Sequence, residues 1–217
     1  DISTLVLVPQ CCDMCKGKMN YFGQPVTVVA AGGIADGRGL AAAISMGASG
    51  AWVGTRFMAS PEANVPANYK EIMLSKNSSD TQRTLIFTGR PMRVYSNRRV
   101  RDWENRVEEQ KDLLSMGKAP AVWESEKRSQ EEAGGAAEST TGSVIGNNGR
   151  AKDIRGGATN IDEGCMPMGQ CIGSINEILP AADIVREIME DAVAALTLGS
   201  AAVVATTSVL TTATAKL

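Results

Sequence analysis

The sequence predicts an α/β fold with parallel strands, and three neighbouring segments support this prediction. Residues 26–31 form a short apolar run rich in β-branched residues, which is typical of a buried strand. Residues 39–46 have a helical pattern and are followed by Gly47, a residue suited to the end of a helix. Residues 51–53 form a second short apolar run between two glycines and predict another buried strand. A strand, a helix and a strand within about 30 residues make a βαβ unit, whose two strands are parallel.

Composition and charge narrow the classes of function. The chain has 217 residues, a formal net charge of −2 and 43% hydrophobic residues, which is ordinary for a soluble globular protein. This charge gives no reason to expect binding to nucleic acid or to a membrane surface. No apolar run approaches the length of a membrane span, and the first residues show no signal-peptide pattern. The arginines between residues 90 and 101 are predicted to form a solvated surface, with the acidic run of residues 104–109 as ion-pair partners.

Three of the five cysteines, Cys11, Cys12 and Cys15, are close together in the sequence. The C-x-x-C spacing of Cys12 and Cys15 is found in redox and zinc sites. The chain contains no histidine that would complete a mixed zinc site. The three cysteines also continue the helical spacing of Leu5 and Val8, which favours small core residues over metal or redox chemistry. Free thiols of this kind fit a reducing compartment.

The remaining elements are predicted from periodicity and composition. The predicted helices are residues 2–16, 68–76, 100–114 and a helix after Pro180, and the predicted strand is residues 84–88. Residues 124–164 are rich in small and polar residues with almost no large apolar side chain, which predicts a linker. The Thr/Ala-rich end, residues 197–217, is predicted to be loosely held.

Glycines follow both predicted strands of the βαβ unit. Gly32 and Gly33 end the first strand, and Gly54 and Thr55 end the second. Because the strands are parallel, these residues are expected at one edge of the sheet, where ligands of α/β proteins bind. The N–H groups of Gly33 and Gly54 could meet one phosphate, with the Thr55 hydroxyl and the N-terminus of the following helix as further partners. The alternative is that the glycines only make tight turns.

Two common phosphate motifs do not fit this segment. The glycines stand at positions 32, 33, 37 and 39, which is not the spacing of the dinucleotide-binding fingerprint, and the P-loop sequence G-K-[ST] is absent. Asp36 could bind a substrate or cap the following helix, and its position before that helix favours capping. The segment therefore predicts a phosphate-bearing ligand without naming it.

Longer stretches of the chain resemble one enzyme family. The segments VVAAGGIADGRGLAAAISMGASGAWVGTRFMAS, RTLIFTGRPMRV and MGQCIGSINEILPAADIVREIM are similar to the 2-nitropropane dioxygenase-like flavoproteins, also called nitronate monooxygenases. The resemblance covers most of residues 1–118 and 166–193. It implies the C-terminal part of an FMN-binding (β/α)₈ barrel with a small helical region, in which residues 26–31 and 51–53 are the seventh and eighth strands.

The resemblance also implies a site and a reaction. The residues that it assigns to FMN are Ala31, Gly32, Gly33, Gly54, Thr55, Met168, Gly169 and Gln170. The implied reaction oxidises a small alkyl nitronate with FMN and O₂ to a carbonyl compound and nitrite. The active-site histidine of the family would precede Asp1, so no catalytic residue is assigned, and the chain is expected to be the C-terminal part of a larger enzyme or a truncated product. A flavin-dependent enoyl-thioester reductase, which shares AAGGIADG and GTRF, and a non-catalytic fragment are the alternatives.

The predicted organisation has five segments. They are a barrel segment at residues 1–66, a helical accessory region at 67–118, a linker at 119–164, a final helical segment packing on the barrel at 165–196, and a flexible tail at 197–217. The last three residues, Ala215, Lys216 and Leu217, resemble a peroxisomal signal of the S-K-L type with alanine for serine. The expected location is therefore cytoplasmic or peroxisomal, and a chance match in an Ala/Thr-rich end is the alternative.

Overall fold

The computed structural model describes residues 2–132 and 161–214, with side chains described as far as residue 204. The chain divides into two compact units: unit 1, from residues 1–64 and 174–217, and unit 2, from residues 65–173. The elements in chain order are α1 (Thr4–Cys15), β1 (Val29–Ala31), α2 (Gly37–Ser45), β2 (Gly50–Trp52), α3 (Thr55–Met58), α4 (Ala67–Ser75), β3 (Thr81–Thr84), β4 (Met92–Tyr95), α5 (Arg98–Glu104), α6 (Val107–Ser115), α7 (Pro120–Glu132) and α8 (Ala181–Thr214).

Unit 1 contains the predicted βαβ unit. β1 pairs with β2 in parallel, with Ala30 opposite Ala51 and Ala31 opposite Trp52, and α2 is the connection. The first strand is shorter than predicted, because the N–H of Val26 donates to the carbonyl of Lys18 at 3.0 Å and belongs to a preceding hairpin. The buried side chains that form the core here are Val8, Ala30, Ile34, Ala43 and Ala48.

The cysteines of α1 are not the core residues that their spacing predicted. Cys11, Cys12 and Cys15 are partly exposed, whereas Val8 on the same helix is buried. Only the line of α1 through Val8 and Cys12 packs onto this core, so the neighbouring cysteines remain at its margin. Among the side chains that the structure describes, no group of three or more Cys, Asp or Glu residues is placed to hold a metal ion.

The packing of α2 against α8 depends on Gly37, because a glycine has no side chain to keep the two helices apart. A Cβ atom built on Gly37 would lie 2.7 Å from the carbonyl carbon of Asp191, and closer still to the Asp191 Cβ and the Ala192 nitrogen. Contacts this short do not occur, so any larger residue at position 37 forces α8 away from the first turn of α2. Within the described part of the chain, no helix, α8 included, is long and apolar enough to cross a membrane.

Asp36 caps α2, as predicted. Its Oδ1 accepts a hydrogen bond from the N–H of Gly39 at 3.0 Å, and its Oδ2 accepts one from the Nε of Arg38 at 2.9 Å. Burial alone would raise the pKa of Asp36, but the bonds from Arg38 and Gly39 outweigh it and hold this pKa below its usual value. The helix therefore begins at Gly37, two residues before the predicted start.

Unit 2 has a separate core around an antiparallel hairpin of β3 and β4. The predicted strand at residues 84–88 lies earlier, because pairing runs from Thr81 opposite Tyr95 to Thr84 opposite Met92 and the chain then turns. The buried side chains are Ile86, Phe87, Val94, Val100, Trp103, Leu113 and Ala121.

The predicted helix at residues 100–114 is two helices, α5 and α6. The chain leaves helical geometry at Arg106, whose φ and ψ are −107° and 52°. The Arg106 guanidinium lies 3.6 Å from the centre of the Trp103 ring, a cation–π contact at the junction of the two helices.

Part of the predicted linker is ordered structure. Residues 120–132 form α7, in which Ala121 is buried and Glu124 accepts hydrogen bonds from Arg99 at 2.9 Å and from the Trp103 indole at 3.2 Å. Arg99 therefore forms its ion pair with Glu124, whereas the sequence predicted a partner in the acidic run at residues 104–109. Residues 133–160 and the signal-like last three residues lie outside the described residues. The predicted tail is helical from residue 197 to 214 as the continuation of α8.

We expect Gly37→Ala to lower the free energy of unfolding by about 2–3 kcal/mol, because the added methyl group overpacks the contact with Asp191 and Ala192. Urea unfolding followed by circular dichroism measures this change. The matched control is Gly199→Ala on α8, where a Cβ meets no described atom within 4 Å, and which should stabilise the helix by about 0.5–1 kcal/mol. Equal effects of the two substitutions would show that α2 and α8 do not depend on this approach.

We expect Asp36→Ala to cost about 1 kcal/mol through loss of the cap, while Asp36→Asn keeps most of the stability because Asn also caps helices. The Asp36 charge acts in a defined pH range. Since its folded-state pKa is lowered, the stabilisation is present above the unfolded pKa of about 3.9 and is lost as the pH falls through the folded value. Between pH 6 and pH 3, the free energy of unfolding should therefore fall less steeply for Asp36→Asn than for the unmodified chain. An equal pH dependence of the two would contradict this role.

Candidate functional site

The glycines that follow β1 and β2 lie at the same end of the two-stranded sheet. We call residues 31–33 and 54–55 the glycine edge. The last paired residues are Ala31 and Trp52, and the glycines follow this pair on each strand. Because the strands are parallel, Gly32 and Gly33 after one strand and Gly54 and Thr55 after the other follow the same end of the sheet. Their joint contact with one ligand stays a prediction.

Backbone geometry separates these glycines into two kinds. Gly32 and Gly33 have φ values of +96° and +78°, a conformation that other residues rarely adopt, so the turn itself requires glycine at both positions. Gly54 has an ordinary φ of −108°. A Cβ built on Gly54 would also meet no described atom within 4 Å. Gly54 therefore differs from Gly32 and Gly33, whose positive φ itself favours glycine.

Two contacts at this edge were not expected from the sequence. The Thr4 hydroxyl, at the start of α1, lies 3.4 Å from the carbonyl oxygen of Gly32, to which it donates. Arg56 is only 7% exposed, and its Nη1 donates to the carbonyl of Glu177 at 3.1 Å. Arg56 is part of the GTRF segment, so its position next to Thr55 was a signal, but only the fold shows that its charge is buried.

One amide at the N-terminus of α2 is already engaged, because the N–H of Gly39 donates to Asp36. The role predicted for this N-terminus in phosphate binding stays a prediction. The same Asp36 carboxylate is paired with Arg38, which neutralises the acidic charge nearest in sequence to Gly33.

The other predicted flavin residues, Met168, Gly169 and Gln170, belong to unit 2. Met168 is 2% exposed, and its N–H donates to the carbonyl of Arg93 at 3.1 Å, next to the bridge between Val94 and Pro167. Gln170 is exposed, and its carbonyl accepts a hydrogen bond from the Ser78 hydroxyl at 2.5 Å. In unit 2 this segment acts as an extension of the β3–β4 hairpin, and its assignment to a flavin stays a prediction.

The surface grooves of unit 1 do not coincide with the glycine edge. Two shallow grooves of unit 1 run along α8, and the second is also lined by α2. Their lining is apolar or hydroxyl-bearing and carries no charged residue; it includes Leu196, Ser200 and Val204. Such grooves offer nothing that would orient a phosphate, whereas the glycine edge offers backbone donors on an open surface.

Comparisons with known proteins identify the same family that the sequence segments resemble. Residues 1–191 match the model of the family described as nitronate monooxygenase. The chain is 42% identical over 86 residues to nitronate monooxygenase npaC of Metarhizium robertsii, a match that covers 39% of this chain and 22% of that protein. Among solved structures, FabK from Thermotoga maritima is similar with a TM-score of 0.63 and 26% identity, covering 93% of this chain and 52% of FabK.

A third comparison bears on the fold alone. The nitroalkane oxidase from Streptomyces ansochromogenes matches with a TM-score of 0.57 and 24% identity, covering 91% of this chain and 45% of that one. Together these matches confirm the predicted fold class, part of a (β/α)₈ barrel with a smaller helical region. The chain spans about half the length of the solved structures, and its matches span 22–26% of the first curated relatives.

We expect Gly33→Ala to lower the free energy of unfolding by about 1–2 kcal/mol, because a Cβ atom is strained at positive φ. Gly54→Ala should change it by less than about 0.5 kcal/mol, since that position has ordinary φ and free space. Urea unfolding of both variants measures the contrast. A similar loss in both would mean that Gly54, too, is present only for the turn.

Proposed function

Because the chain belongs to the nitronate monooxygenase family, we propose that its glycine edge holds the phosphate of FMN in an enzyme that oxidises alkyl nitronates. Members of this family are flavin-dependent enzymes, and the 42% identity to a nitronate monooxygenase supports the same chemistry here. The proposed substrates are a small nitronate and O₂, and the proposed products are a carbonyl compound and nitrite. The cofactor supplies the redox chemistry, and the protein supplies position and charge.

Gly54 is the observation that carries this proposal. It follows the carboxyl end of β2, and it has ordinary φ and open space where a side chain would be. Any side chain there would occupy the volume that a phosphate needs in order to approach the backbone. This is the reason that phosphate sites place glycine at strand ends, as in the second glycine of the dinucleotide-binding motif.

Each residue of the edge has a defined task in the proposed site. The N–H groups of Gly33 and Gly54 donate hydrogen bonds to phosphate oxygens, and the Thr55 hydroxyl adds a third donor. The buried Arg56 fixes the turn after β2 through its bond to the carbonyl of Glu177. Ala31 keeps the end of β1 narrow, since its side chain ends at Cβ. For Met168, Gly169 and Gln170, a role in flavin binding is proposed from the family resemblance alone.

No residue of this chain is proposed as the catalytic base. The chain contains no histidine, and the residues of the glycine edge bind and orient without exchanging a proton with the substrate. The contribution proposed for this chain is therefore retention of the cofactor. A cytoplasmic or peroxisomal location remains part of the proposal, through Ala215–Leu217.

A second candidate is a flavin-dependent enoyl-thioester reductase. The similarity to FabK supports this alternative, because its TM-score of 0.63 is larger than the 0.57 of the nitroalkane oxidase. The glycine edge serves both activities equally, because both need the phosphate of the same kind of cofactor. The reductase differs in needing NAD(P)H as electron donor. A non-catalytic fragment that binds no flavin is the third candidate.

Flavin binding tests the site directly. We expect Gly54→Asp to weaken FMN binding by the chain at least about tenfold, because its carboxylate lies against the phosphate and like charges in contact cost more than 1.4 kcal/mol. The matched control is Gly50→Asp, which adds the same charge in equally open space at the other end of β2 and should leave FMN binding unchanged. Quenching of flavin fluorescence gives the affinities. Riboflavin, which lacks the phosphate, should bind both variants alike.

The outcomes separate the candidates. Equal loss in both variants, or none in either, overturns the phosphate assignment at Gly54. If the unmodified chain binds no FMN at all, the non-catalytic reading is supported. For the reaction, nitronate-dependent O₂ uptake without NAD(P)H by the full-length enzyme supports the proposal, whereas enoyl reduction that depends on NAD(P)H alone supports the reductase.

A further inference from the structure

The connection between α1 and β1 is unusually long. Residues 16–28 separate these two elements, whereas connections from a helix to a strand in α/β units usually have about 2–6 residues. The segment folds back on itself. Met19 pairs with Pro25 in an antiparallel bridge, the N–H of Asn20 donates to the carbonyl of Gln24 at 2.7 Å, and that of Val26 donates to Lys18. We call residues 18–26 the aromatic hairpin.

The turn of the aromatic hairpin is fixed by its own sequence. The Asn20 side-chain oxygen accepts hydrogen bonds from the N–H of Phe22 at 2.9 Å and from that of Gln24 at 3.0 Å. Gly23 has a φ of +72°, and its N–H donates to the carbonyl of Asn20 at 3.0 Å. These three local hydrogen bonds define one conformation for the tip without help from the core of unit 1.

Two aromatic rings stand at this tip in water. Tyr21 is 97% exposed and Phe22 is 82% exposed, and Met19 beside them is 63% exposed. The two rings contact each other edge to face, with centres 5.5 Å apart, and belong to neither buried cluster described above. Large apolar side chains held out by an ordered turn mark a surface that another apolar medium covers.

The charges around the tip select the kind of partner. Lys16 and Lys18 are exposed in the neck of the hairpin, Asp13 on α1 is the nearest acidic residue before them, and residues 14–35 contain no Asp or Glu. Aromatic rings with a polar or edge-exposed side favour the boundary between lipid headgroups and acyl chains. Lysines beside them are attracted to anionic lipid headgroups.

We propose that the aromatic hairpin docks the protein on an anionic lipid bilayer, with Tyr21 and Phe22 in the headgroup layer and Lys16 and Lys18 on lipid phosphates. The hairpin precedes β1 in the chain and so lies at the amino ends of the strands, whereas the glycine edge lies at their carboxyl ends. Docking therefore leaves the glycine edge accessible, and the proposal does not depend on the function proposed above. The overall net charge of −2 does not reveal this surface, because the positive charge of Lys16 and Lys18 is local.

Vesicle sedimentation tests this proposal with the 217-residue chain. We expect binding to phosphatidylcholine vesicles that contain phosphatidylserine, weaker binding as salt is raised, and no binding to phosphatidylcholine alone. The double variant Tyr21→Ser/Phe22→Ser should bind at least about tenfold more weakly through loss of apolar burial. The variant Lys16→Gln/Lys18→Gln should lose roughly fivefold for each lysine removed. Because all four side chains are exposed, the variants should remain folded.

The matched control removes two exposed apolar side chains elsewhere. Val107→Ser/Met116→Ser on and after α6 should bind anionic vesicles as the unmodified chain does. Absence of binding to vesicles containing phosphatidylserine would overturn the proposal, as would equal binding by the aromatic variant. A dimer detected by light scattering without vesicles, and lost in the aromatic variant, would also overturn it by showing that the hairpin contacts a second copy of the chain.

Discussion

The close approach of α8 to Gly37 is the constraint on which the rest of unit 1 depends. Because Gly37 has no side chain, the backbone around Asp191 and Ala192 reaches the first turn of α2. The same turn carries the Asp36 cap, and Asp36 follows the two glycines of positive φ at the end of β1. A segment from the end of the chain thus holds in place the helix that follows the proposed phosphate site.

The glycine edge relies on backbone geometry more than on side chains. Parallel pairing of β1 and β2 sets the glycines that follow both strands at the same end of the sheet, where the proposed ligand would meet their amide groups. The charged groups of the region are already engaged: Asp36 with Arg38 and Gly39, and Arg56 with Glu177. A site of this kind binds an anion with fixed dipoles, which need no rearrangement when the ligand arrives.

The sequence predicted best where the signal is local. The βαβ unit and the Asp36 cap follow from short apolar runs and from residue types at helix ends, and both are present. Predictions failed where distant residues decide. α7, in the predicted linker, is held by Glu124, which accepts hydrogen bonds from Arg99 and Trp103 far earlier in the chain. No periodicity within residues 100–132 contains that information.

By itself, the sequence determined the fold class, the family resemblance and the positions of the glycines, since these depend on residue type and on order along the chain. Only the tertiary structure decided what each glycine is for: positive φ at Gly33, close contact with α8 at Gly37, and open space at Gly54. It also showed that Tyr21 and Phe22 stand in water. The physical reason is that a residue's role depends on which atoms surround it, and those atoms come from parts of the chain that the local pattern does not contain.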